Sequence, residues 1–274
     1  MIFAEGLLDG RVALVSGGGS GIGRATALEL ARLGATVAIC GRRLEPLEET
    51  AAIAPDRIEA VQCDIREEDQ VASLVEGVLE RQGQIDVLVN NAGGQFLAPA
   101  EDITPKGFRT VVRLNLEATW LMTHAVATKA FIPSGRGGRV ISVTLTPHDG
   151  LAGMAHSSAA RAAVENLMKV LAIEWACYKI NLVAVAPGIV DTDTFRSKYP
   201  PEVTEFWASN TLAGRLVAPE EVARTIAFLA SPGGDSISGS VINVDAGHDV
   251  HQQPFPPRDL TGADGALLAE TRRT

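Results

Sequence analysis

Cysteine is scarce in this chain, and what there is lies scattered. Cys40, Cys63 and Cys177 form no CxxC pair and no Cys/His cluster of zinc spacing, which excludes a zinc site and a disulfide framework and leaves no metal to expect. An odd count without a signal peptide fits a reduced, cytoplasmic chain. The thiols read as inert core residues rather than ligands or nucleophiles. A basic surplus is also lacking: 24 Lys and Arg stand against 33 Asp and Glu, a net charge of −9. With no basic face, a nucleic-acid partner is a poor fit, and the acidic excess favours solubility. No apolar run approaches a membrane span, which excludes a membrane role.

What is present has a rhythm. Hydrophobic residues fill 46% of the 274 positions, enough for one large core. Short apolar runs predict strands at 11–15, 36–40, 57–63, 85–89, 139–143, 180–186 and 240–244. Helical patterns lie between them. The first follows a glycine-rich turn and stops at Gly34; another spans 44–53; a third carries the stripe Val71, Leu74, Val75, Val78 and Leu79. Long helices are expected over 105–130 and 157–178, and a short one from Pro219. Apolar strands alternating with helices predict a parallel sheet buried on both faces and right-handed crossovers. The expected class is therefore α/β: a Rossmann-like, doubly wound, seven-stranded parallel sheet with helices on both faces. Residues 1–247 read as one domain. Within it, 192–215 break the rhythm and form either a substrate lid or an ordinary surface excursion. Residues 248–274 read as a C-terminal tail that is loose or packs on a neighbouring subunit.

The first chemical motif is the turn Ser16-Gly17-Gly18-Gly19-Ser20-Gly21-Ile22-Gly23. Small residues between a strand and a helix let the backbone approach a pyrophosphate while the helix N-terminus faces it. A lone glycine triplet is a weak sign, but here the strand and the helix flank it. The second motif is the end of the second strand. An acid there would hold the ribose hydroxyls of NAD; this chain has Arg42 and Arg43 instead. Guanidiniums can clamp a 2′-phosphate, and arginine is otherwise unfavourable at a helix start. The expected cofactor is NADP(H).

Together, Gly17, Gly21-Ile22-Gly23, Asp64, Asn90-Asn91-Ala92-Gly93, Asn115 and Pro187-Gly188 with Thr192 resemble the short-chain dehydrogenase/reductase family over residues 8–247. The resemblance implies that Ser16, Gly17, Ser20, Gly21, Ile22 and Gly23 bind the pyrophosphate and that Asp64 and Ile65 border the adenine. Asn91, Ala92 and Gly93 would line the cofactor channel, and Pro187, Gly188 and Thr192 would hold the nicotinamide. Asn115 would be the helix-breaking asparagine that organises the active-site water chain. Ser16 stands where the family usually has threonine.

One departure matters. Ketone-reducing members use a Ser, a Tyr and a Lys, the last two as YxxxK. Here the helix start reads His156-Ser157-Ser158-Ala159-Ala160-Arg161, placing Ser157 at the tyrosine position and Arg161 at the lysine position. The catalytic-serine position falls at Thr144, with Thr146 as the fallback; either is equally readable as a strand-end hydroxyl. A serine hydroxyl is far too weak an acid to replace a tyrosine, and Arg161 stays charged, able to bond the nicotinamide ribose but not to shuttle a proton. Hydride addition to the β-carbon of an α,β-unsaturated thioester tolerates this loss. The enolate needs hydrogen-bond donors rather than a strong acid; Ser157, Thr144 and Asn115 are the candidates, and water can protonate the α-carbon. The segments Asn90 to Phe96, His156 to Arg161 and Leu171 to Ala176 are also similar to the peroxisomal trans-2-enoyl-CoA reductase and 2,4-dienoyl-CoA reductase branch. The chain closes on Thr271-Arg272-Arg273-Thr274, not on a peroxisomal tripeptide.

The expected substrate is thus an acyl-CoA. Arg196 and Lys198 are candidates for its phosphates. Two alternatives remain: a carbonyl or 3-oxoacyl reductase with a substitute acid such as His148, and an NADP(H)-binding sensor without turnover. His148, its neighbour Asp149 and His156 are equally readable as structural, His156 as a helix-capping aid. The two long helices are apolar on several faces, with Trp120, Leu121 and Met122 on one and Met168, Leu171 and Ile173 on the other. Such helices are buried, and in this family they form a four-helix interface, which implies a homotetramer.

Overall fold

The computed structural model describes residues 2–250. Seven strands, β1 (Val12–Ser16), β2 (Thr36–Gly41), β3 (Ile58–Gln62), β4 (Val87–Asn90), β5 (Gly138–Val143), β6 (Ile180–Pro187) and β7 (Ser240–Val244), form one sheet in the order β3-β2-β1-β4-β5-β6-β7. All pairings are parallel. Each strand sends alternate side chains to opposite faces. In β1, Val12 and Leu14 join one core while Ala13 and Val15 join the other; in β6, Leu182 and Ala184 divide from Val183 and Val185 in the same way. That explains strands apolar at every position.

One core packs the sheet against α1 (Gly21–Arg32), α2 (Leu44–Ile53) and α10 (Pro219–Ala230). The other packs it against α3 (Glu68–Gln82), α5 (Ala118–Val126) and α7 (Ala155–Glu174). Strand order reverses between β1 and β4, so a crevice opens beyond their carboxyl ends, the place where such sheets bind ligands. Gly34 ends the first helix with φ +103, and a Cβ there would sit 1.9 Å from Asp9 Oδ1. Pro219 opens α10, whose first turn is held by Glu221: its carboxylate accepts from Ala218 N–H at 2.9 Å and from Arg215 at 2.7 and 2.8 Å.

Two helices depart from expectation. The one expected over 105–130 runs on to Ser134 as α4 (Pro105–Val112), a π turn over Arg113–Glu117, α5, a second π turn over Ala127–Phe131 and α6 (Ile132–Ser134). Phe131 is fully buried, and the left-handed Gly135 then stops the helix. The second begins at Ala155 and leaves α-helical form after Glu174; a 3-10 turn at Ala176–Tyr178 ends on Lys179 at φ 60. The expected lid holds α8 (Asp193–Lys198) and α9 (Pro201–Ser209). The expected tail begins within the described residues, where His248 is buried and Asp249 is bonded to the body of the chain; from residue 251 onward it lies outside them.

Candidate active site

The turn after β1 is shaped by close approach. A Cβ at Gly17 (φ +71) would lie 2.8 Å from Asn91 Nδ2, and one at Gly23 would lie 2.2 Å from the Gly17 carbonyl oxygen. Ser20 caps α1 in extended conformation without a side-chain bond, and the first turn carries no acid. Its N–H groups are therefore free to meet an anion. They open on a cleft of about 340 Å³ lined by Gly17, Ser20, Gly21, Ile22, Arg42, Arg43, Asp64, Ile65, Asn91, Ala92, Gly93 and Thr192. The structure thus gathers twelve of the expected cofactor residues around one crevice.

Four other expected cofactor residues stand behind that wall instead. Ser16 is buried, and its Oγ accepts from Asn91 N–H at 3.1 Å and Ala92 N–H at 3.0 Å, pinning the end of β4 to the end of β1. Gly23 packs on the turn. Pro187 ends β6, its carbonyl accepting from Thr146 N–H at 2.9 Å, and Gly188 packs so close to Asp245 that a Cβ would stand 3.0 Å from its Cα.

Charge within the cleft is uneven. Asp64 is committed to Arg66, whose Nε and Nη2 donate to its two oxygens at 2.9 and 2.5 Å. These bonds outweigh burial and hold the carboxyl below its ordinary range. Arg42 and Arg43 form no ion pair among the described residues. Two unpartnered guanidiniums flank a cradle only a backbone without Cβ atoms could form, so the residues present fit a phosphorylated dinucleotide.

The segment after β4 is tied down residue by residue. A Cβ at Gly93 would meet Arg161 Nη2 at 2.0 Å, so the glycine leaves room for the guanidinium. Asn115, buried in the first π turn, grips Gly94 at both ends: its Oδ1 accepts from Gly94 N–H at 3.0 Å and its Nδ2 donates to Gly94 O at 3.1 Å. Its own carbonyl accepts from Thr119 Oγ1 at 2.9 Å. One N–H of the Asn115 amide is thus committed to the loop, and the second has no partner among the described residues. Ser157 Oγ donates to Gln95 Oε1 at 2.9 Å, and the Phe96 ring meets His156 edge-on at 4.3 Å between centroids.

Gln95 was not among the residues that the sequence singled out for chemistry. Its signal is its place in the Asn90 to Phe96 segment that resembles the enoyl- and dienoyl-CoA reductase branch; nothing local could say that the Ser157 hydroxyl points at it. With Oε1 occupied by the Ser157 hydroxyl, its Nε2 has no hydrogen-bond partner among the described residues, and the exposed Gln95 lines two further cavities. His156 Nδ1 accepts from Ser157 N–H at 2.7 Å, and burial lowers the ring's pKa; it is a neutral residue that sets the start of α7.

Arg161 is buried. Its Nη1 donates to Val143 O at 2.6 Å while Nε has no partner. Burial lowers its pKa to about 10, which leaves the group charged at neutral pH. It lies beside Gly93, at the rim of the cleft. Thr144 is buried with its hydroxyl 3.4 Å from Val185 O, and the buried Thr146 hydroxyl has no partner. His148 sits between two carboxylates, Nδ1 2.7 Å from Asp249 Oδ2 and Nε2 3.2 Å from Glu165 Oε1. In the lid, Arg196 is paired bidentately with Asp191 at 2.6 Å on both arms; Lys198 has no ion pair among the described residues. Burial raises the pKa of both core thiols, pushing Cys63 up to about 11, as expected for inert cysteines. The exposed Cys177 places its Sγ 3.6 Å from Glu174 O.

Comparison with known proteins follows the same outline. The family described as enoyl-(acyl carrier protein) reductase matches residues 17–249. A probable 2,4-dienoyl-CoA reductase of Bacillus subtilis is 33% identical, covering 90% of this chain and 100% of its own length. A solved dehydrogenase of citronellol catabolism from Pseudomonas aeruginosa is 39% identical with TM-score 0.81, covering 90% of this chain and 98% of that one. A 3-ketoacyl-(acyl-carrier-protein) reductase of Brucella melitensis, solved with NADH, is 31% identical with TM-score 0.83, covering 89% and 100%.

Proposed function

The chain belongs to the short-chain dehydrogenase/reductase family, and from that premise we propose that it is an NADPH-dependent reductase of α,β-unsaturated acyl thioesters, of the trans-2-enoyl-CoA type. One observation carries the reading. Where a proton-transferring residue would stand, Ser157 spends its only proton on Gln95 Oε1 at 2.9 Å, which leaves the amide N–H groups of Gln95, a residue that lines both substrate cavities, free to donate. An amide cannot give up a proton at neutral pH, but it can donate a hydrogen bond to an enolate oxygen. A site built this way suits hydride addition to a β-carbon and does not suit carbonyl reduction.

The bound nicotinamide would supply the hydride. The first turn of α1 would hold the pyrophosphate, Arg42 and Arg43 the 2′-phosphate, Arg161 the nicotinamide ribose, and Thr192 the edge of the carboxamide. With hydride added at the β-carbon, the π electrons would move to the thioester oxygen, where Gln95 Nε2 would stabilise the charge, and water would protonate the α-carbon. Thr144 Oγ1 bonds Val185 O, and the buried Thr146 hydroxyl, without a partner, lines neither substrate cavity. The carbonyl-reductase alternative needs an acid, and His148 is held between Glu165 and Asp249 and lines neither substrate cavity. Among the described residues no helix is long and apolar enough to cross a membrane; we take the protein to be a cytoplasmic homotetramer.

The test is NADPH oxidation with crotonyl-, trans-2-hexenoyl- and trans-2-decenoyl-CoA, run beside acetoacetyl-CoA. Turnover of enoyl substrates with silence on the keto substrate is expected. The reverse pattern would make the chain a carbonyl reductase, and tight NADPH binding without turnover would make it a sensor.

A further inference from the structure

Two cavities meet at the active site. One, of about 400 Å³, lies between the post-β4 segment and α4 and is lined by Gly94, Phe96, Gly107, Val111 and Leu114. The other, of about 230 Å³, lies under the lid and is lined by Met154, Ile189, Thr194, Phe195, Lys198 and Tyr199. Gln95 and Phe96 alone line both. Each also touches the cofactor cleft, the first through Leu114 and the second through Thr192. A group at Gln95 is therefore at the junction of three spaces.

The two cavities differ in chemistry. In the α4 cavity the polar groups are already occupied. Thr104 Oγ1 accepts from Gly107 N–H at 3.1 Å, and Thr110 Oγ1 donates to Lys106 O at 2.8 Å; Lys106 is exposed and can extend into water. Besides Gln95, what remains of the lining is aliphatic, aromatic and glycine. Gly107 keeps the cavity open, since a Cβ there would come within 3.1 Å of Phe96 Cζ. The lid cavity instead presents the Thr194 hydroxyl, the Tyr199 phenol and the Lys198 ammonium, none with a hydrogen-bond or ionic partner for its side chain among the described residues.

We propose that the substrate is a phosphopantetheinyl thioester bent at Gln95, with an unbranched acyl chain of medium length in the α4 cavity and the phosphopantetheine arm under the lid, its phosphate toward Lys198. This rests on the reading of the site as an enoyl-thioester reductase. Coenzyme A and an acyl carrier protein present the same arm, so both are substrates on chemistry alone. Gly107 is the residue that sets chain length.

Binding of saturated decanoyl-CoA and butyryl-CoA to the NADP+-loaded protein, measured by calorimetry, tests the acyl arm without turnover. The full-length protein should prefer decanoyl-CoA. Gly107→Leu should erase at least about tenfold of that preference, as expected when two methylenes lose an apolar site. Thr110→Phe, at an exposed rim position, should do the same without touching the core. An unchanged ratio in both variants, or no preference in the original protein, overturns the assignment. For the other arm, Lys198→Glu should lower the ratio of decanoyl-CoA to decanoyl-N-acetylcysteamine affinity about tenfold. The same loss from Lys106→Glu, and none from Lys198→Glu, would show the substrate lying the other way round. Parallel assays with decenoyl-CoA and decenoyl-acyl carrier protein identify the carrier. Decanoyl-CoA binding as described, with no enoyl turnover, would remove the catalytic reading and leave this one standing.

Discussion

At the scale of single residues, the proposed mechanism makes the pairing of Ser157 with Gln95 a division of labour in which one would orient and the other would stabilise charge. Gln95→Leu removes the donor and keeps the bulk, so kcat should fall by about 10²–10³ while NADPH affinity holds. Ser157→Ala leaves the amide in place but free to turn, and a smaller loss in kcat, about tenfold, is expected. Steady-state kinetics on one enoyl-CoA substrate, with NADPH binding measured separately, check both; a larger loss from Ser157→Ala than from Gln95→Leu would reverse the roles. Much of this site was legible in the sequence. Asp64, Asn91 and Thr192 followed from the family resemblance, while the glycine turn, Arg42 and Arg43 announced themselves by residue type and context. Gln95 did not, because a glutamine in a loop is chemically silent until a partner 62 positions away fixes which end of its amide faces the substrate. The grip of Asn115 on Gly94 was hidden for the same reason. Its amide finds the Gly94 backbone first, an arrangement visible only after the helix folds back.

At the scale of elements, strands and helices followed from apolar periodicity, but the two π turns did not, since a π turn adds one residue without altering composition. The first of them turns Asn115 inward and makes the helix a clamp on the post-β4 segment. Asn115→Asp keeps the acceptor for Gly94 N–H but faces Gly94 O with a second acceptor. Stability should drop by about 1–3 kcal/mol, read from denaturant midpoints, and kcat should fall with it because the same segment carries Gln95.

The loop between β5 and α7 is tethered likewise. His148 bonds Asp249, beyond β7, through its ring at 2.7 Å and its N–H at 2.6 Å, and its other ring nitrogen faces Glu165 of α7. Burial alone would lower the imidazole's pKa, yet the bond to Asp249 and the charges of Glu165 and Asp249 raise it above the ordinary value. A raised folded-state pKa means that the tether's contribution is complete below the unfolded value of about 6.5 and is lost as pH climbs through the folded one. Asp249 is held below its usual range against the effect of its own burial, so its share fades only in acid. The melting-temperature difference between the parent and His148→Asn should therefore shrink from about pH 6 to about pH 9. A difference that stays constant would show that the imidazolium is not what holds the loop.

At the scale of the whole molecule, α7 has two faces with different duties. Its inner face buries Ser157, Arg161, Val164 and Met168. Its outer face leaves Ala159, Ala162, Val170 and Ile173 exposed, with Ile173 80% accessible, and Trp120 of the neighbouring α5 is open as well. Small and apolar residues along an outward helix face are suited to close helix–helix contact and are a liability in a lone acidic monomer. The proposed homotetramer would bury this face and would account for a sequence that reads as apolar all round both long helices, although a single chain buries only one side of each. Ile173→Glu should then shift the species seen by light scattering at micromolar concentration from tetramer toward smaller forms. Ile173 lies beyond the buried core of the chain, so the fold itself should survive, with an unchanged circular dichroism spectrum. Because Ser157 and Arg161 ride on the same helix, enoyl reduction should weaken in step with dissociation. A parent protein that is monodisperse and monomeric at that concentration would defeat the assembly. A dissociated variant with full activity would show that each chain holds its site without its neighbours.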